Sequence, residues 1–155
     1  MRLVIVSGYF NPLHTGHLDY LECASRLGDY LIVIVNNDEQ VSIKGSTPFL
    51  PLEDRLRIVQ ALSCVNKSVA SIDTDGSVVK TIEALYRDRY ICSHLGEKYS
   101  VYWDVYEIIF ANGGDRNSND IPEYSLCEKY GIQMAFNVGG GKTQSSSGLI
   151  NKVKQ

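Results

Sequence analysis

The chain alternates short apolar runs with polar turns, and the lengths of those runs set the first expectations. Leu3 to Val6 suits a short buried strand, and Leu18 to Ala24 has the apolar spacing of a helix. Gly28 then closes a turn before Leu31-Ile32-Val33-Ile34-Val35, an unbroken aliphatic run, most of it β-branched. That pattern predicts a strand buried on both faces, as in a parallel sheet. Strand, helix and strand in this order predict a right-handed βαβ unit with its ligand loops at the carboxyl ends of the strands.

The alternation continues downstream. Gln40 to Leu50 reads as a polar loop carrying Lys44-Gly45. Pro51 suits a first helical turn, with Glu53 and Asp54 near the positive end of the dipole. This helix is expected from about Leu52 to Cys64, with Leu52, Leu56, Val59 and Leu62 on its core face and Arg55 and Arg57 off that stripe. Ser68 to Ile72 predicts a third strand. Asp73-Thr74-Asp75-Gly76 reads as a turn whose aspartates cap the helix of Val78, Val79, Ile82 and Leu85; an acceptor or subunit contact is the alternative. Arg87 to Val105 breaks the pattern, crowding Tyr90, Tyr99, Tyr102 and Trp103 around His94. Such aromatics suit a pocket cover, a dimer face or a packed surface helix. Tyr106 to Ala111 predicts strand four, ending at Asn112-Gly113-Gly114-Asp115-Arg116. Pro122 and Glu123 open a helix through Tyr130 with Gly131 as its C-cap, and Gln133 to Val138 predicts strand five. A glycine run then leads to Lys142-Thr143-Gln144-Ser145-Ser146-Ser147 and a final helix with Leu149, Ile150 and Val153. The whole reads as one α/β domain over residues 1–155.

Length agrees, since 155 residues are enough for one domain with a real core. Charge narrows the partners: a formal net charge of −3 argues against a dedicated nucleic-acid binder, so any cations that meet phosphate are placed locally. No apolar run approaches a membrane span, and Leu3 to Val6 is too short for a signal-peptide core. Cys23, Cys64, Cys92 and Cys127 are scattered singly, which fits a reducing cytoplasm better than a disulfide framework. Neither a nucleic acid nor a membrane is expected as a partner.

The chemistry gathers where the first strand hands over to the first helix, in Ser7-Gly8-Tyr9-Phe10-Asn11-Pro12-Leu13-His14-Thr15-Gly16-His17. Free backbone N–H groups and the positive end of a helix dipole make such a junction an anion site. Gly8 and Gly16 would let backbone approach a ligand, and two imidazoles would donate to phosphate oxygens. A plain helix cap is the bland alternative. Zinc is disfavoured, because no further Cys or His stands at a paired spacing. At the other end, Gly141-Lys142-Thr143 imitates the close of a P-loop, but the first glycine of that motif falls on Phe136. The serine run instead offers hydroxyls and N–H groups at a helix start, a second anion cradle.

Gly8-x-Phe10-Asn11-Pro12-x-His14-x-Gly16-His17 resembles the His-x-Gly-His signature of the cytidylyltransferase-like nucleotidylyltransferases. The resemblance implies a Rossmann-like fold, with a sheet of about five parallel strands and helices on both faces, and transfer of a nucleoside monophosphate to a phosphorylated acceptor with release of pyrophosphate. It assigns His14, His17 and Lys44 to catalysis. Gly8, Tyr9, Phe10, Asn11, Gly16, Gly114, Asp115, Lys142, Thr143, Ser145, Ser146 and Ser147 become nucleotide-binding, and Arg55 and Arg116 acceptor-binding. Lys142 replaces an arginine found in some members, keeping the charge without the bidentate geometry. Magnesium is expected on the triphosphate oxygens, with no protein ligand named. CTP is the preferred donor and a small phosphate- or phosphonate-bearing molecule the acceptor, an ATP-dependent adenylyltransferase acting on a sugar phosphate is the alternative, and the assembly is a homodimer. A non-catalytic nucleotide-binding module on the same fold is the competing reading.

Overall fold

The computed structural model describes residues 1–87, 105, 107–114 and 121–140. Its strands are β1 (Arg2–Gly8), β2 (Tyr30–Val35), β3 (Lys67–Ala70), β4 (Glu107–Ala111) and β5 (Gln133–Ala135). The helices are α1 (Thr15–Ser25), α2 (Asp38–Ile43), α3 (Leu52–Gln60), α4 (Val79–Arg87) and α5 (Tyr124–Tyr130). One parallel sheet has the order β3-β2-β1-β4-β5, with β1 in register from Leu3↔Tyr30 to Gly8↔Val35 and, on its other side, from Arg2↔Glu107 to Ile5↔Phe110. This is the Rossmann-like α/β fold expected.

Period-two alternation assigns each face. Leu3, Ile5, Ile32, Ile34 and Phe110 point to one side, against Ile82 and Leu85 of α4 and Leu126 and Cys127 of α5. Val4, Val6, Leu31, Val33, Val35 and Ala111 point to the other, against Leu21 and Ala24 of α1 and Val59 of α3. All six residues of β2 are buried. Each large aliphatic so buried contributes about 1.5–3 kcal/mol, more than any single cap or turn, so the sheet fixes where the loops sit. The chain builds outward from β1 through β2 to β3, then restarts at β4 on the other side of β1. That reversal opens a crevice between the carboxyl ends of β1 and β4, the usual ligand position in such sheets.

Several boundaries differ from expectation. The segment read as a loop from Gln40 begins inside α2, a six-residue helix closed by Lys44. Its capping box pairs Asn37 Oδ1 with the Gln40 N–H at 2.9 Å and Gln40 Oε1 with the Asn37 N–H at 3.0 Å. The helix expected to reach Cys64 stops at Gln60, because the Ala61 and Leu62 N–H groups tighten onto the Ile58 and Val59 carbonyls. β3 ends at Ala70, since the Ile72 N–H turns to Thr81 Oγ1. β5 ends at Ala135, well before Val138, because Asn137 takes a φ of 55°. The aspartate turn caps as expected: Asp73 accepts from the Lys80 and Thr81 N–H groups at 2.8 and 3.0 Å. Most of the aromatic segment from Arg87 to Val105 lies outside the described residues, as does the final helix.

Candidate nucleotide site at the end of the first strand

The loop from Tyr9 to Leu13 enters the crevice directly from β1. Phe10 turns the chain with a φ of 50° and sends its ring into the core, where it is 2% exposed. That ring occupies the space beside Gly8: a Cβ built there would meet Phe10 Cζ at 2.7 Å. Both residues were expected to meet nucleotide; what the structure describes of them is their packing against each other. Gly8 is small to admit Phe10, and the Phe10 ring is a floor beneath His17, edge-on with centroids 5.0 Å apart.

His14 is the N-cap of α1. Its Nδ1 accepts from the Gly16 N–H at 3.1 Å, and the His14 N–H is accepted by Nδ1 of His17 at 3.1 Å. Two imidazoles thus form a capping box, a task usually given to Ser or Thr with Glu or Gln. The cap that the bland reading expected is therefore present. Because each Nδ1 is an acceptor, the neutral rings carry their protons on Nε2. The rings stack with centroids 3.8 Å apart at 23°. They stand at the first turn of α1, where the dipole also favours an anion. Gly16, expected at the nucleotide, contributes its N–H to this cap.

The neighbouring loops are tied to the motif loop. Asn11 is 4% exposed; its Nδ2 donates to the Thr47 carbonyl at 3.0 Å and its Oδ1 accepts from the Phe49 N–H at 2.6 Å. Its amide, expected at the nucleotide, holds the segment after Lys44 in this structure. Lys44 is exposed at the end of α2, with Nζ 4.4 Å from the Tyr9 ring centroid. Arg55 shows the largest departure. It is 1% exposed, on the core side of α3 rather than off the stripe. Its guanidinium donates to the Tyr9 carbonyl at 2.8 Å, to that of Asn36 at 2.6 Å, to that of Leu50 at 3.0 Å and to Asp38 Oδ1 at 2.6 Å. A buried guanidinium engaged by four acceptors is a clamp on three loops; it was expected at the acceptor, and in this structure its bonds are to the protein.

Across the crevice, the Tyr20 hydroxyl of α1 donates to the Ala111 carbonyl at 2.5 Å, fixing the end of β4 beside the motif loop. Gly114 follows with a φ of 68°, a left-handed turn that favours glycine. Asp115, Arg116, Lys142, Thr143, Ser145, Ser146 and Ser147 lie outside the described residues. Asp38, Asn37 and Gln40 were missed as residues that organise this edge. Asn37 Nδ2 holds the Ser71 and Asp73 carbonyls, and Gln40 Nε2 those of Asp75 and Ser77. The Asn-x-x-Gln spacing before a helix was the available signal.

Comparison with known proteins agrees with this geometry. Residues 5–115 match the family described as Cytidylyltransferase-like. The chain is 30% identical over 156 aligned positions to the D-beta-D-heptose 1-phosphate adenylyltransferase of Bordetella bronchiseptica, covering 99% of this chain and 82% of that protein. It is 38% identical over 133 residues to the bifunctional protein HldE of Streptomyces coelicolor, covering 84% of this chain but only 24% of that one. The crystal structure of the lipopolysaccharide core biosynthesis protein from Thermoplasma volcanium shares the fold, with a TM-score of 0.56 at 24% identity and coverage of 88% and 93%. Among the described residues no helix is long and apolar enough to cross a membrane, and Cys23, Cys64 and Cys127 carry free thiols. The motif, the sheet order and the family match together place this chain in the cytidylyltransferase-like family of nucleotidyltransferases.

Proposed function

We propose that this chain transfers a nucleoside monophosphate from a nucleoside triphosphate to a small phosphate-bearing acceptor and releases pyrophosphate. The observation that carries the proposal is the stacked histidine pair, whose Nδ1 atoms are committed to the α1 cap and whose Nε2–H groups are the donors. An acceptor phosphate oxygen attacks the α-phosphorus in line, a P–O bond forms, and the bond to the β-phosphate oxygen breaks with its electron pair leaving on pyrophosphate. The attacking oxygen is already ionised at neutral pH, so positioning and electrostatic stabilisation do the work. His14 and His17 donate to oxygens that gain charge in the transition state, and Lys44 adds a point charge.

ATP is the donor we favour, because the relative aligned over 99% of this chain is named an adenylyltransferase; by the same support the acceptor is a sugar 1-phosphate. CTP, preferred on the motif alone, is the competing donor. Magnesium belongs to this reading only as a passenger of the triphosphate, whose charge it would neutralise. Among the described residues no three His, Cys, Asp or Glu side chains are grouped to hold a metal, and the imidazoles and Lys44 are donors that suit phosphate oxygens.

The test is pyrophosphate release with ATP, CTP, GTP and UTP, each with magnesium and a heptose or hexose 1-phosphate. His17→Ala should lower kcat at least about 100-fold. Near-normal turnover in that variant would remove the histidines from the chemistry. Binding of a triphosphate without turnover on any acceptor would favour the non-catalytic module.

A further inference from the structure

Tyr9 contributes nothing to the α1 cap, and its ring is only half-buried. What stands over the ring is the Lys44 ammonium, 4.4 Å from the centroid, within the distance at which an aromatic quadrupole attracts a cation. The backbones on both sides of this contact are fixed. The Lys44 N–H is bound to the Gln40 carbonyl at 3.1 Å, and the segment that follows is held by Asn11 at Thr47 and Phe49. Arg55 joins the Tyr9 carbonyl to that of Leu50. The Lys44 side chain is exposed, and ordering a rotamer-rich chain on binding weakens affinity.

We propose that Tyr9 is a positioning residue for Lys44: its ring selects the rotamers that keep the ammonium over the motif loop, ready for a phosphate of the triphosphate. The inference rests on the function proposed above and gives the ring face at position 9 a role beside the motif loop. The phenol oxygen is not needed for it; the ring face is. Tyr9→Phe therefore keeps the device and Tyr9→Leu removes it.

Two readouts test this. In protein with 13C-dimethylated lysines, the Lys44 methyl resonance, assigned with Lys44→Arg, should be shifted upfield by the ring current in the wild type and in Tyr9→Phe, but not in Tyr9→Leu. ATP affinity, measured by calorimetry on the full chain, should be about 2- to 5-fold weaker in Tyr9→Leu than in Tyr9→Phe. In a Lys44→Ala background Tyr9→Leu should add nothing, a coupling that a merely structural role would not produce. An absent upfield shift in the wild type overturns the proposal. So does a Tyr9→Leu effect that persists without Lys44, or tighter ATP binding in Tyr9→Leu, which would mean that the ring competes with phosphate. A normal methyl shift with no binding of any triphosphate would instead refute the proposed function, and the role of the contact with it.

Discussion

Replacing His14 with Asn and His17 with Gln separates what the histidines do for α1 from what they do for a ligand. The replacement is the pair that already caps α2, where Asn37 and Gln40 make the same reciprocal bonds at 2.9 and 3.0 Å. The box on α1 comprises side-chain to backbone bonds of 3.1 Å at each end, each worth about 1 kcal/mol. His14→Ala/His17→Ala should therefore lose about 2 kcal/mol. At about 2–4 °C per kcal/mol for a domain of this size, its melting temperature should fall by about 4–8 °C. The Asn/Gln pair should recover most of that fall, because it restores both acceptors. Its spare amide N–H groups do not stand where the imidazole Nε2–H groups stood, so turnover should stay at least about 100-fold below wild type. Calorimetric melting and pyrophosphate release on the three proteins decide the matter. An Asn/Gln variant that melts as low as the double alanine would refute the cap reading, and one with wild-type turnover would refute the donor reading.

Other expectations follow from buried groups. Arg55→Ala strips one cation from four acceptors, and urea denaturation should show a loss of about 3 kcal/mol or more; Arg55→Lys should recover only part of it, since an ammonium lacks the planar fork. A loss under about 1 kcal/mol in the alanine variant would mean the clamp carries little. Cys127 is 1% exposed, and burial, with Glu123 nearby, pushes its thiol from 9.0 up to about 11. The native protein should therefore resist iodoacetamide at Cys127 at neutral pH, read by mass spectrometry against the unfolded chain. The raised thiol adds stability that is complete below pH 9 and is lost as pH rises through about 11. Cys127→Ala should flatten that alkaline fall.

The parts of the fold that are buried on both faces were legible because apolar runs leave little choice. β2 could be read from Leu31 to Val35, and the structure adds only Tyr30. The histidine pair was legible too, as residue types at a strand-to-helix junction. What escaped was the partnership of polar groups. Arg55 stands three residues after Leu52 and four before Val59, within the stripe that packs inward; a charged residue there reads as solvated until its acceptors are known, and all of them lie in other loops. Asn11 likewise looks like a ligand contact because it sits in the motif, yet its partners are some 36 residues away. α2 was hidden by its length, since six residues give a helical period barely more than one turn. Its capping box was a better signal than its periodicity.

The Arg55 clamp also governs when this site exists. The residue belongs to α3, and three of its four bonds end on loops that leave β1 and β2 or lead into α3. The motif loop cannot swing away from the crevice without breaking a bond whose other end is buried inside that helix. Loop opening and loosening of α3 are thereby one cooperative event, so the loop shares the protection of a core helix against hydrogen exchange. A site on a connecting segment acquires the rigidity of the scaffold, and a transplant of the eleven motif residues without α3 would carry the histidines and leave their geometry behind.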